Sequence, residues 1–211
     1  MTFSESAKKT HERLEKEAWA TAPDFIKLLE KAQAKLQRLK DGFGETVRDE
    51  YSFVVDRMAN DVKPESIIVS LAKDMNETVN NESFNRLCEF DKLSSDPALG
   101  AVIHIDIIGP DNGSVIISEI SPSAFTLSTI EIEKTGSHPE NGSREFGFEV
   151  NSDQSILFYT RGVSRPNTAI GKVGDPLQRQ TWTSLLEGLS KALELKGCAI
   201  RPASLRIEVS P

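Results

Sequence analysis

The hydrophobic period of the chain changes near Pro97, and that change constrains the fold more than any other feature. Before it, apolar residues recur every three or four positions. Phe25, Leu29, Ala32, Leu36, Leu39 and Phe43 are spaced 4, 3, 4, 3, 4, a heptad seam. The stripe resumes at Val47, Tyr51, Val54, Met58 and Val62. Between the two lies Asp41-Gly42-Phe43-Gly44, and two glycines inside a helix cost about 1 kcal/mol each relative to Ala. Residues 23–62 therefore read as a helical hairpin broken at Gly42, or as one long helix with a weak point. Residues 4–20 form an earlier charged helix, closed before Pro23 because the residue ahead of a proline avoids the helical region. Another helix starts at Pro64-Glu65, with Ile67, Ile68, Leu71, Met75 and Val79 on one face, and a further piece holds Phe84, Leu87, Cys88 and Phe90.

After Pro97 the period is two. Residues 101–108, AVIHIDII, are β-branched and alternate. Gly109-Pro110-Asp111-Asn112-Gly113 is a turn, and residues 114–120 return. Further strands cover about 125–133, 144–150 and 155–161, with short turn-rich separators that favour antiparallel neighbours. In the third strand the apolar phase moves from Phe125 and Leu127 to Ile130 and Ile132, which predicts a bulge or a twist near Ser128. A long loop over 162–176 leads to a helix signalled by Asp175-Pro176. Trp182, Leu185, Leu186, Leu189 and Leu193 form its apolar face, and Gly197 is its cap. Residues 204–209 alternate as a last strand. The fold class is α+β: an N-terminal helical arm over about 1–92, then an antiparallel β-meander of five or six strands covered by the C-terminal helix. The division is a helical arm or subdomain over 1–95 and a sheet domain over 96–211.

Composition narrows the function. With 38% hydrophobic and 27% charged residues, the chain is of the globular class. At 211 residues it can bury roughly two thirds of its unfolded surface and needs no disulfide or metal to fold. Its net charge of −7 lacks the field that draws nucleic acid. No apolar run is long enough for a membrane span, and the polar stretch from Met1 to Thr21 has no secretory-leader pattern. Cys88 and Cys198 do not make a disulfide framework. A cytoplasmic protein is expected.

Chemistry-bearing residues are sparse. His11, His104 and His138 fall in three different elements, so neither a metal site nor a cofactor is expected. His104 and Asp106 share a strand face, and a pairing of Ile108 with Ser114 would set Ser118 opposite His104. A strand middle is a poor seat for a nucleophile, so the three read as ordinary cross-strand neighbours, and no catalytic residue is assigned. Charge is uneven: residues 100–153 hold Lys134 and Arg144 against nine acids, whereas Arg161, Arg165, Lys172 and Arg179 face only Asp175 over residues 161–179. This Gly/Arg-rich stretch lacks P-loop spacing. Its Arg161, Arg165, Asn167 and Lys172 are the candidate ligand or partner contacts.

The function these features suggest is a non-catalytic, cytosolic protein-binding module: an adaptor, assembly factor, chaperone-like binder or immunity-type inhibitor. Self-association through a coiled coil of the N-terminal helices would make it a homo-oligomer, with a protein partner and neither nucleic acid nor membrane. The alternative is a small enzyme or anionic-ligand-binding domain that uses the loop 161–174.

Overall fold

A computed structural model describes residues 3–108, 112–168 and 176–210. In chain order the elements are α1 (Glu5–Lys16), α2 (Pro23–Lys31), β1 (Lys35–Leu36), β2 (Val47–Arg57), α3 (Pro64–Lys73), α4 (Met75–Val79), α5 (Glu82–Leu87), β3 (Cys88–Phe90), β4 (Val102–Ile107), β5 (Asn112–Ile120), β6 (Ala124–Glu131), β7 (Glu140–Val150), β8 (Ile156–Pro166), α6 (Pro176–Leu195), β9 (Ala199–Ile200) and β10 (Arg206–Ser210). The strands form one antiparallel sheet in the order β10-β2-β8-β7-β6-β5-β4-β3, with β1 beside β6 and β9 beside β2. The α+β class, the β4–β8 meander and the covering C-terminal helix stand as the sequence predicts.

The helical arm does not extend to residue 92. Strand β2 pairs with β8 on one side and β10 on the other, so the second apolar stripe belongs to a strand inside the sheet. Tyr51, Phe53 and Val55 alternate inward, and Asp49, Glu50 and Ser52 are buried as well. Burial on both faces hides the period of two. The heptad seam is also broken, which removes both the hairpin and the long-helix reading: α2 ends at Lys31, and Gln33 adopts φ 51. Residues Leu39–Asp41 make only a single 3-10 turn. Phe25 and Leu39 still meet in one apolar cluster, with Leu29 and Leu36 against it, so these four seam residues pack within the molecule, whereas Phe43 is half exposed.

The sheet is covered on both faces. On the inner face, α3–α6 pack over Tyr51, Phe53, Phe125, Leu127, Phe146 and Phe158. On the outer face, α1 crosses β7 and β8, and a smaller cluster joins Leu14, Trp19 and Phe25 to Ile116, Ile130 and Val163. This arrangement explains the phase change in β6: Phe125 and Leu127 enter the inner core and Ile130 the outer one. The bulge lies instead in its partner β5, where the register shifts between Ile117 and Glu119.

Strand β8 continues to Pro166, so the expected loop over 162–176 begins later. Residues 169–175, with Lys172 and Asp175, lie outside the described residues. Helix α6 begins at Pro176 as expected, and Leu185, Leu186, Leu189 and Leu193 are buried. Gly197, at φ 84, turns the chain towards β9, a backbone conformation that costs glycine little. Among the described residues no helix is long and apolar enough to cross a membrane.

Candidate functional site

Helix α6 does not fill the inner face along its whole length. Its C-terminal half closes the core, but beneath Leu177, Gln178, Thr181 and Trp182 lies a cavity of about 320 Å³. The deep wall is apolar, with Phe90, Ile105, Val115, Leu127 and Phe146. The other end is polar and is built from the start of β7 and the end of β8. His138, Glu140, Arg144 and Ser164 line it, with Gln178 of α6.

Strand parity places these groups. On β7, Arg144 and Phe146 face inward while Glu145 and Glu149 face α1. On β8, Gly162 and Ser164 line the cavity while Arg161 turns to α1. The Arg144 guanidinium donates to Asp49 Oδ2 at 2.7 Å and lies 4.2 Å from the Trp182 ring centroid. It reaches Asp49 by passing over Gly162, where a Cβ would stand 2.4 Å from Nη2. Only glycine leaves that path open.

Glu140 accepts a hydrogen bond from Gln178 Nε2 at 2.7 Å. Burial pushes its carboxyl up to about 7, against the lowering pull of Ser164 and Arg144. Burial pushes the His138 imidazole down to about 4. The Glu140 amide donates to His138 Nδ1 at 3.1 Å, and Gln37 brackets the His138 backbone through its N–H and carbonyl. Trp182 Nε1 and Asp49 Oδ1 are buried without a hydrogen-bond partner among the described residues.

The residues singled out from sequence are not brought together. Arg161 is fully buried on the outer face, where it donates to Glu50 and Glu149 at 2.6 Å each and to Ser6 and Thr10 at 3.2 Å. Its guanidinium also stacks 3.7 Å from the Tyr159 ring centroid. Glu149, from the acidic stretch, is thus one of its neutralisers. Arg165 Nε donates to Thr46 Oγ1 at 2.8 Å, and the Asn167 amide donates to the Pro139 carbonyl at 2.9 Å. Lys172 lies outside the described residues. The same stretch nevertheless contributes Gly162, Ser164 and Pro166 to the cavity.

The strand constellation also differs from expectation. His104 pairs with Ser114, not Ser118. His104 Nδ1 lies 3.0 Å from Ser114 Oγ, which is itself 2.6 Å from Thr135 Oγ1. Ser114 is fully buried and cannot meet a substrate. Ser118 bonds instead to Ser128 and to the Thr126 carbonyl. Burial pushes the Cys88 thiol up to about 12, which leaves it unreactive near neutrality.

Fold and site together define an α+β protein with an amphipathic cavity between an antiparallel sheet and its C-terminal helix. No family model and no curated protein matches the sequence. Among solved structures, the protein XoxI from Bacillus cereus aligns at 13% identity over 70% of this chain and 95% of that one, with a TM-score of 0.48. A truncated norcoclaurine synthase from Thalictrum flavum aligns at 13% identity over 72% and 94%, with a TM-score of 0.48. Ara h 8.0201 aligns at 11% identity over 71% and 99%, with a TM-score of 0.46. At this distance the reading of the site rests on this chain's own residues.

Proposed function

We propose that the protein binds a small, largely apolar molecule in the cavity beneath the N-terminal half of α6. The observation that carries this reading is the cavity itself: about 320 Å³ of space with an apolar wall and a cluster of polar groups at one end. Small-molecule sites are mostly apolar concavities of about 300–1,000 Å³ with a few convergent polar groups. Each methylene moved from water to the wall of Ile105, Val115 and Leu127 gains about 0.8 kcal/mol. This reading is preferred to the protein-binding module suggested by the amphipathic arm, because Phe25, Leu29, Leu36 and Leu39 of the seam are engaged in the molecule's own packing, although Phe43 stays half exposed.

Isothermal calorimetry with 1-octanol tests the reading. One saturable site per chain is expected, weakened about tenfold or more in Leu127→Trp, whose indole would occupy the deep end. The absence of saturable binding, or equal affinity in the variant, would contradict it.

A further inference from the structure

We propose that the natural ligand of this cavity carries a cationic amine, which Glu140 receives, with its hydrocarbon part directed towards Ile105 and Leu127. The proposal rests on the cavity-binding reading and adds a chemical class to it.

Arg144 is committed to Asp49 at 2.7 Å, with its other face on Trp182. Those two charges cancel. Glu140 then remains as the carboxylate without an ion-pair partner among the described residues, and Arg144 pulls on it without bonding to it. Its known donors are neutral: Gln178 Nε2 and the Ser164 hydroxyl. An ionised carboxylate offers about four lone-pair positions, so two donors leave room for a third group from the cavity.

Among the described residues no neighbouring side chain fills that role: His138 is held neutral by burial, and Arg179 on α6 is exposed to solvent. A ligand carboxylate would add an anion beside Glu140, with Arg144 already committed to Asp49. An alcohol would supply one donor but no charge. An ammonium supplies up to three donors and a positive charge, and charge-assisted hydrogen bonds are roughly twice as strong as neutral ones.

The protonation of Glu140 makes the class measurable. Burial holds its carboxyl near 7, so at neutral pH much of the empty protein carries a proton there. A bound ammonium favours the ionised form and expels that proton. Amine affinity should therefore rise with pH through about 7. Among the described residues, the groups facing Glu140 are Arg144 on β7, Asp49 on β2, Ser164 on β8, Gln178 on α6 and the preceding His138, with Arg179 of α6 exposed to solvent nearby. His138, lowered to about 4, keeps its charge state over this range.

The test compares octylamine, 1-octanol and octanoate by calorimetry at pH 6 and pH 8, in two buffers of different ionisation enthalpy. Octylamine should bind about tenfold tighter than 1-octanol at pH 8, with a smaller advantage at pH 6 and proton release near pH 7. Octanoate should bind most weakly. In Glu140→Gln the affinity ratio of amine to alcohol should fall to about one. The proposal is overturned if 1-octanol binds but octylamine binds no tighter, if octanoate is preferred, or if Glu140→Gln keeps the amine's advantage. Should that variant fail to fold, the proton release decides in the native protein: octylamine binding without it overturns the proposal. If none of the three binds, the cavity reading itself fails and the amine class falls with it.

Discussion

The two faces of the sheet are made by the same strands and closed by opposite means. Under α1, the outer face holds charge: Arg161 buried between Glu50 and Glu149, and the partly exposed Arg13 against Glu119 and Glu145. Tyr159 donates to Glu145 at 2.9 Å, and Ser118, Ser128 and Ser143 form a chain of hydroxyls. Under α3–α6, the inner face is largely aliphatic and aromatic, and it keeps a cavity. The difference teaches where slack can reside. A buried charge needs its partner in one geometry, because an unpaired one is costly. Apolar attraction is non-directional and follows area, so an apolar face can remain folded around an open space. The outer face therefore fixes α1, while the inner face can accept a guest.

The largest effect should come from breaking the outer network. Arg161→Met leaves the buried Glu50 and the partly exposed Glu149 without their cation, and removal of one partner from a buried pair costs about 3–5 kcal/mol. Chemical denaturation should record a loss of that size. Adding Glu50→Gln and Glu149→Gln to the variant should restore part of it. A loss comparable to that of an exposed pair, about 0–1 kcal/mol, would mean that the outer face is open to water.

A smaller loss is expected where the inner face is held tight at its polar end. Gly162→Ala would place a methyl group 2.4 Å from Arg144 Nη2 and force the guanidinium away from Asp49. Loss of a partner by a buried charged group costs about 1–3 kcal/mol or more. Stability should fall by about that amount, and 1-octanol affinity should change with it because Arg144 borders the cavity. An unchanged denaturation midpoint would show that Arg144 does not follow this path.

The smallest effect is a slope with pH. His138 is lowered from 6.5 to about 4 in the folded protein, so its contribution is present above pH 6.5 and is lost as pH falls towards 4. Glu140 is raised from 4.5 to about 7, so its contribution is present below pH 4.5 and is lost as pH rises through 7. Between pH 4.5 and 6.5 the two oppose each other. Glu140→Gln removes one, and the variant should lose stability on acidification more steeply than the native protein, by at most about 1.4 kcal/mol per pH unit. Parallel curves would place Glu140 in water.

The meander from β4 to β8 was legible because turn-formers separate alternating runs, and α6 because Pro176 opens a clear apolar stripe. Strand β2 was not. Its Arg48, Asp49 and Glu50 are drawn into pairs on both faces, so polarity no longer marks an outside, and Val47, Tyr51 and Val54 fall at helical spacing by coincidence. Phe25 and Leu39 were correctly legible as buried, but spacing does not record that the helix between them ends at Lys31. The concentration of charge around Arg161 was also visible. Its direction was not, because the parity of β8 decides it: Arg161 turns to α1, while Gly162 and Ser164 line the cavity. Glu140 lay unmarked in a polar connection, and only the tertiary fold brings Ser164 and Gln178 to it.

The contrast between the faces can be read in one spectrum. Methyl NMR of the native protein, titrated with 1-octanol, reports both sides of the sheet at once. Ile105, Val115 and Leu127 line the cavity, whereas Ile116 and Ile130 lie one strand-thickness away in the outer cluster. Saturable shifts at the first three, with Ile116 and Ile130 unmoved, are the predicted result. Shifts centred on Ile116 and Ile130, or no saturable shift anywhere, would contradict the account.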